Sequence, residues 1–131
     1  MRLLLILICV FGLSACDKEE AVIDIGENKS VRLWPQVSGR MPDGKTLLTW
    51  TVIEDSRCPE GATCVWEGRA VIEFRLERDG ESRTVEIESR KGMNTGKTNG
   101  YEIELIEVWP YPDMNWEIAD DYEIVLRVSS I

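Results

Sequence analysis

The 131-residue chain contains no histidine. Because histidine is the usual base beside a serine or cysteine nucleophile, Ser-His and Cys-His catalytic arrangements are excluded. A glycine-rich phosphate loop is also lacking, since Gly92, Gly96 and Gly100 lie in a polar segment with no helical pattern after it. Paired carboxylates would suit glycoside hydrolysis, but nothing in the sequence selects one pair. We expect a protein that is not an enzyme and uses no cofactor.

Helical periodicity is missing beyond residue 20, where short alternating runs are separated by turn residues. Residues 69–77 place Ala70, Ile72, Phe74 and Leu76 on one face, and Asp79-Gly80 then predicts a tight hairpin. After Leu105 the alternation slips by one residue, which predicts a β-bulge. We expect a single antiparallel β-sandwich, immunoglobulin-like and with about seven strands, over residues 21–131. An open β-barrel is the alternative.

Loops are predicted at 35–45, 89–100 and 110–121, where a sandwich gathers its connections. The chain has five tryptophans. Three of them, Trp34, Trp50 and Trp66, sit in or beside predicted strands and are expected in the core. The other two flank a proline-rich loop. Exposed aromatic residues beside prolines suit binding of proteins, peptides or sugars, which makes this loop a candidate binding surface. Its members are Trp109, Tyr111, Asp113 and Trp116.

The amino terminus has the pattern of an export signal. Arg2 precedes an apolar run over residues 3–11, which is too short for a bilayer-spanning helix but suits a signal-peptide core. Leu13-Ser14-Ala15-Cys16 resembles the bacterial lipobox, in which the cysteine is acylated and becomes the first residue of the mature protein. This resemblance implies a signal peptide at 1–15, lipidation of Cys16, a tether at 16–20 and a domain at 21–131.

An acylated Cys16 would hold the chain on a membrane of the bacterial cell envelope through its lipid. Asp17 resembles the inner-membrane retention signal of some enteric bacteria and so favours the inner membrane over the outer one. The formal net charge of −9 becomes −10 when Arg2 leaves with residues 1–15. Such a charge repels nucleic acid and anionic headgroups, so we expect no nucleic-acid partner and no docking through basic patches.

Only Cys58 and Cys64 remain as a cysteine pair after Cys9 is removed and Cys16 is acylated. In an oxidising envelope compartment they are expected to form a disulfide. Five intervening residues argue against a redox-active dithiol, and two cysteines without histidine argue against a zinc site. Within this segment Asp55 is placed to cap backbone amides or to pair with Arg57, and Gly68 to permit a close backbone approach.

The same segment carries a family resemblance. Asp55-Ser56-Arg57-Cys58-Pro59, followed by Cys64-Val65-Trp66-Glu67-Gly68, resembles a signature of small uncharacterised bacterial lipoproteins. Similarity extends over about residues 46–128. The resemblance implies the anchor at Cys16, the disulfide and a compact β fold, but no catalytic residue and no activity.

Three functions from different classes follow from these features. The first is a lipid-anchored envelope module with a binding or structural role, with an envelope protein as its candidate partner. The second is a disulfide-stapled inhibitor or accessory protein of an envelope enzyme, which would present Glu60, Ala62 and Thr63 on a preorganised loop. The third is a metal- or carbohydrate-binding module. Asp113 with Asn115, or Asp120 with Asp121, would suit calcium, but neither pair has a recognised spacing, so we predict no metal site.

Overall fold

The computed structural model describes residues 20–115 and 118–131. Over these residues the chain forms nine strands and no helix. They are β1 (Ala21–Asp24), β2 (Ser30–Leu33), β3 (Val37–Arg40), β4 (Leu47–Asp55), β5 (Ala70–Arg78), β6 (Glu81–Glu88), β7 (Thr95–Thr98), β8 (Tyr101–Trp109) and β9 (Glu123–Ser130). The predicted signal peptide, Cys16, Asp17 and Trp116 lie outside the described residues, and no described segment forms a helix long and apolar enough to cross a membrane.

The strands build two facing sheets that do not close into a barrel within the described residues. One sheet has the order β1-β3-β4-β5-β6 and the other has the order β2-β9-β8-β7. The predicted all-β sandwich is therefore confirmed, with nine strands in place of about seven. Its pairing is not wholly antiparallel, because β1 runs parallel to β3 with Ala21 opposite Val37. Between β1 and β3 the chain crosses to the other sheet and forms β2, so β3 runs in the same direction as β1.

Alternation of apolar and polar residues explains the core between the sheets. In β5 the residues predicted to face inward, from Ala70 to Leu76, are at most 1% exposed. Their partners on the opposite sheet are the equally buried inward rows of β8 and β9, which include Ile103, Leu105, Ile124 and Leu126. The predicted bulge is present, since the register of β8 against β9 shifts between Leu105 and Glu107 and returns Val108 to the core.

Three further sequence predictions about this architecture are wrong. Residues 35–45, expected to be a loop, contain β3, which pairs with β4. Residues 89–100, expected to be a loop, contain β7, in which Gly96 lies against β6. A Cβ built on Gly96 would stand 2.9 Å from side-chain atoms of Val85 and Ile87, so the absent side chain is what lets β7 approach. Trp34 and Trp66 are exposed and Trp50 is half-buried, because Leu33 takes the inward position beside Trp34 and Trp66 lies in a loop.

The strand registers divide the connections between two ends of the sandwich. We call the first the loop end, and its connections are residues 34–36, 56–69, 89–94, 110–115 and 118–122. We call the other the turn end, and its connections are residues 25–29, 41–46, 79–80 and 99–100. Asp79 and Gly80 have φ values of 51° and 79°, as a two-residue hairpin turn of this kind requires, so the predicted hairpin is confirmed.

A carboxylate organises the turn end. Asp43 Oδ1 accepts hydrogen bonds from the backbone nitrogens of Lys45 and Thr46, each at 2.8 Å, and Oδ2 accepts one from the Thr46 hydroxyl at 2.6 Å. Burial opposes ionisation of Asp43, but these bonds and the charge of Arg78 outweigh burial and lower its pKa from 3.8 to about 2. The ionised carboxylate thus closes the β3–β4 turn.

Acid should weaken this turn. The pKa of Asp43 is lower in the folded chain than in the unfolded chain, so its stabilisation is complete above pH 4 and disappears as the pH falls towards 2. Asp43→Asn should reduce the free energy of unfolding at pH 7 by about 1–2 kcal/mol and flatten its pH dependence between 4 and 2. Urea unfolding at several pH values measures both effects. Asp79→Asn, at an exposed position of the same end, is the control; equal pH profiles for Asp43→Asn and the parent chain would contradict the assignment.

Candidate functional site

The loop end brings together two segments that the sequence analysis singled out separately, the cysteine segment after β4 and the aromatic segment after β8. The side chain that joins these two segments is Arg57, which is only 7% exposed although it carries a full charge. A buried guanidinium is costly unless it is paired and hydrogen-bonded, so its partners determine how this end is built.

The hydrogen-bond donors of Arg57 link the cysteine segment to the aromatic segment after β8. Nη1 donates to the carbonyl of Val108 and Nη2 donates to the carbonyl of Pro110, both at 2.6 Å. Nε and Nη2 also donate to the two oxygens of Asp55, at 2.9 and 2.8 Å, in the bidentate geometry that suits arginine and carboxylate. The planar fork therefore fixes the carbonyls on either side of Trp109 relative to β4.

Asp55 provides the matching buried charge, with its side chain 1% exposed. Besides Arg57 it accepts a hydrogen bond from the hydroxyl of Tyr122 at 2.7 Å and one from the backbone nitrogen of Arg57 at 3.2 Å. Both expectations for Asp55, capping an amide and pairing with Arg57, are thereby confirmed. Burial, and after it the hydrogen bond to Asp55 and the charge of Asp55, raise the pKa of Tyr122 to about 12, so its hydroxyl stays protonated and donates.

Aromatic rings cover the outer side of this buried pair. The Arg57 guanidinium carbon lies 4.3 Å from the centre of the Tyr111 ring, which is a cation–π contact. The Tyr111 ring in turn meets Trp109 edge-on, with ring centres 6.2 Å apart and planes at 74°. Tyr111 and Trp109 nevertheless remain 48% and 44% exposed. Two members of the predicted binding surface therefore stand exposed on a rigid base.

The remaining members of that surface are placed differently. Asp113 is exposed, and its Oδ1 accepts a hydrogen bond from the backbone nitrogen of Asn115 at 2.9 Å. Trp116 lies outside the described residues. Among residues 20–115 and 118–131 there is no group of three or more cysteine, aspartate or glutamate side chains that could hold a metal ion.

The predicted disulfide joins Cys58 to Cys64 directly after Arg57. Inside the small ring it closes, the Ala62 nitrogen donates to the Pro59 carbonyl at 3.2 Å, and Gly61 has a φ of 79°, as a left-handed turn requires. Of the residues predicted to form its tip, Glu60 and Thr63 are exposed and Ala62 is half-buried. The ring is thus a short, crosslinked projection beside the aromatic pair.

The two ends of the connection between β4 and β5 lie against each other at the base of this loop. Ser56 and Arg69 exchange hydrogen bonds, with the Ser56 nitrogen donating to the Arg69 carbonyl at 2.7 Å and the Arg69 nitrogen donating to the Ser56 hydroxyl at 3.0 Å. A Cβ on Gly68 would stand 1.9 Å from the Ser56 carbonyl oxygen, and Gly68 has a φ of 66°. Only glycine fits there, as expected from the sequence.

A shallow cleft of about 250 Å³ lies between the ring segment and β8. Its walls include Arg57, Cys58, Glu67, Glu107 and Tyr111. Sites for small molecules usually enclose about 300–1,000 Å³, so this cleft offers little room for a substrate. Its guanidinium is already committed to Asp55 and two carbonyls, which leaves it few donors for a ligand. The exposed surface around the cleft is more prominent than the cleft itself.

No protein-family model, no curated protein and no solved structure matches this chain. The geometry of the loop end is therefore what bears on its function. Sequence reasoning paired Arg57 with Asp55 but missed the contacts of Arg57 with Val108 and Pro110 and that of Tyr122 with Asp55, which span 51 to 67 residues. The sequence signal for these contacts was the position of Arg57 directly before the disulfide-closed loop.

Replacing Arg57 tests whether it fixes the loop end. Arg57→Lys keeps the charge but cannot supply the planar fork, so the Asp55 carboxylate and two carbonyls lose donors. We expect the free energy of unfolding to fall by about 3–5 kcal/mol. Chemical denaturation followed by circular dichroism measures the change. Arg69→Lys, at a more exposed arginine paired with Glu88, should cost less than about 1 kcal/mol. Similar losses in the two variants would contradict the assigned role.

Proposed function

We propose that this protein is a lipid-anchored module of the bacterial cell envelope that binds through its loop end and is not an enzyme. The observation that carries the proposal is the buried Arg57–Asp55 pair, which holds exposed aromatic side chains in fixed positions. A surface ordered before it meets its partner loses less entropy on binding, so preorganisation of this kind favours recognition. If the buried Arg57–Asp55 pair served stability alone, there would be no reason for Trp109 and Tyr111 beside it to stay exposed.

Two observations support export and anchoring. The lipobox-like Leu13-Ser14-Ala15-Cys16 follows a short apolar run, as in the small lipoproteins that the cysteine segment resembles. The Cys58–Cys64 disulfide fits an oxidising compartment outside the cytoplasm. Acyl chains on Cys16 would then hold the sandwich at a membrane of the envelope, with Asp17 favouring the inner one.

A second candidate function rests on the disulfide ring. Glu60 and Thr63 are exposed at its tip, and the ring is crosslinked directly after the buried Arg57. This arrangement suits a loop that enters the cleft of an envelope enzyme, either as an inhibitor or as an accessory protein. The two candidates differ in the contacting residues, the aromatic pair in the first and the ring tip in the second.

Metabolic labelling tests the anchor. The full chain, expressed in a bacterial host grown with radiolabelled palmitate, should incorporate label and sediment with membranes, because Cys16 becomes acylated. Cys16→Ala should lose the label. The Cys58→Ala, Cys64→Ala double variant should keep it, since those sulfurs form the disulfide. Label that persists in Cys16→Ala would contradict anchoring at this residue.

Photo-crosslinking tests the binding surface. Benzoylphenylalanine in place of Trp109 should give adducts in intact cells, whereas the same residue in place of Ile131 at the turn end, also exposed, should not. Adducts formed only when it replaces Thr63 would favour the second candidate. The absence of adducts at both Trp109 and Thr63 would rule out binding through the loop end.

A further inference from the structure

Exposed apolar side chains are distributed unevenly over the sandwich. Among the described residues thirteen large apolar side chains are exposed, and only Leu47 and Ile131 belong to the turn end. Val22, in β1, lies between the two ends. The other ten lie in the half of the molecule that carries the loop end, and they are Trp34, Ile53, Val65, Trp66, Met93, Ile106, Trp109, Tyr111, Met114 and Ile118. One end of the protein is therefore suited to an apolar or interfacial environment and the other to water.

The residue types at the loop end indicate which environment it is. Trp66, Trp109 and Tyr111 combine an apolar ring with a polar group, and such side chains concentrate where a bilayer meets water. Val65 is 96% exposed and Met114 is 67% exposed, so both apolar side chains lie largely in solvent. The buried Arg57 keeps this set in place, because it fixes both the ring segment and the aromatic segment.

The course of the chain points the same way. Strand β1 starts about midway along the sheet, where Ala21 lies opposite Val37, and runs towards the turn end. Glu20, just before it, lies beside Gln36 of the loop end, so the tether joins β1 from the loop-end side. Only four residues separate Cys16 from Ala21, and the five extended steps from one to the other span at most about 18 Å. A separate 100-residue domain has a diameter of about 34 Å, so it would not fit between the sandwich and the membrane.

We propose that the loop end docks on the bilayer that holds the lipid anchor, with Val65, Trp66, Trp109, Tyr111 and Met114 in the interfacial region. The inference rests on the lipid anchor of the proposed function and names the partner of the same surface. Anchoring supplies a high local concentration, so modest affinity per side chain suffices for docking. The turn end, with its polar connections, then faces the aqueous compartment.

Charge determines which lipids are suited to this surface. Exposed carboxylates border the aromatic residues, among them Glu60, Glu67, Asp113, Asp120 and Asp121. They repel anionic headgroups and leave zwitterionic lipid as the favoured surface. Docking of this kind depends on interfacial burial of aromatic and aliphatic groups, in contrast to the basic patches by which many peripheral proteins bind.

Quenching of tryptophan emission by brominated lipid tests the proposal. The full-length lipidated protein, labelled with palmitate as above, is incorporated into vesicles of phosphatidylcholine with brominated acyl chains. We expect emission to be quenched relative to unbrominated vesicles, because Trp66 and Trp109 are exposed at the loop end. Replacing part of the phosphatidylcholine with phosphatidylglycerol at low salt should weaken the quenching.

Matched variants show whether the loop end itself makes the contact. Val65→Asp with Met114→Asp removes no tryptophan, and we expect the ratio of docked to undocked protein to fall by roughly tenfold or more, as the loss of two apolar contacts implies. Leu47→Asp with Ile131→Asp, at the turn end, should leave the quenching unchanged. Circular dichroism confirms that each variant is folded.

The possible failures are distinguishable. Chain that incorporates palmitate but shows no quenching would overturn docking and leave the anchor intact, with the loop end then open to a soluble partner. Chain without palmitate would overturn both the anchor and the docking that depends on it. Equal quenching in the two double variants would show that the tryptophans meet lipid without the loop end, which also contradicts the proposal.

Discussion

The guanidinium of Arg57 is the contact on which the loop end depends. It is bonded to the Asp55 carboxylate and to the carbonyls of Val108 and Pro110, and the Tyr111 ring lies over it. Without it the buried Asp55 carboxylate would lose two donors, the two carbonyls would lose theirs, and the cysteine and aromatic segments would be free to separate. The disulfide and the close backbone approach at Gly68 stabilise the cysteine segment, Arg57 links that segment to the aromatic segment, and Asp55 links it to Tyr122.

The two ends of the sandwich differ in how they are held together. At the turn end, turns with left-handed residues and the ionised Asp43 are closed by hydrogen bonds. At the loop end, the hydrogen bonds of the buried Arg57–Asp55 pair hold the connections, and apolar side chains are exposed. Because the short tether joins β1 from the loop-end side, an anchor at Cys16 would bring the same side chains to a membrane. The fold, the tether and the distribution of apolar side chains are therefore consistent with one orientation, in which the loop end faces the membrane.

Several elements could be predicted because their cause is local. The alternation from Ala70 to Leu76, the Asp79-Gly80 hairpin and the slip after Leu105 each follow from the period of the pleat and from turn chemistry. Strand β7 could not be predicted, because Gly96 disfavours a strand in isolation and is accepted only against Val85 and Ile87. Trp34 was misplaced because its position beside a predicted strand suggested burial, whereas the structure turns Leu33 inward and leaves the next residue outside.

The sequence by itself determined the all-β class, the disulfide pair, the expectation of an acylated Cys16 and the local pairing of Asp55 with Arg57. These depend on short-range periodicity, on spacing and on the number of cysteines, which are properties of neighbouring residues. Only the tertiary structure decided that Tyr122 and the Val108 and Pro110 carbonyls complete the buried site and that the exposed aromatic residues gather at one end of the sandwich. Those relations join residues far apart in the chain, and they are set by how two sheets pack.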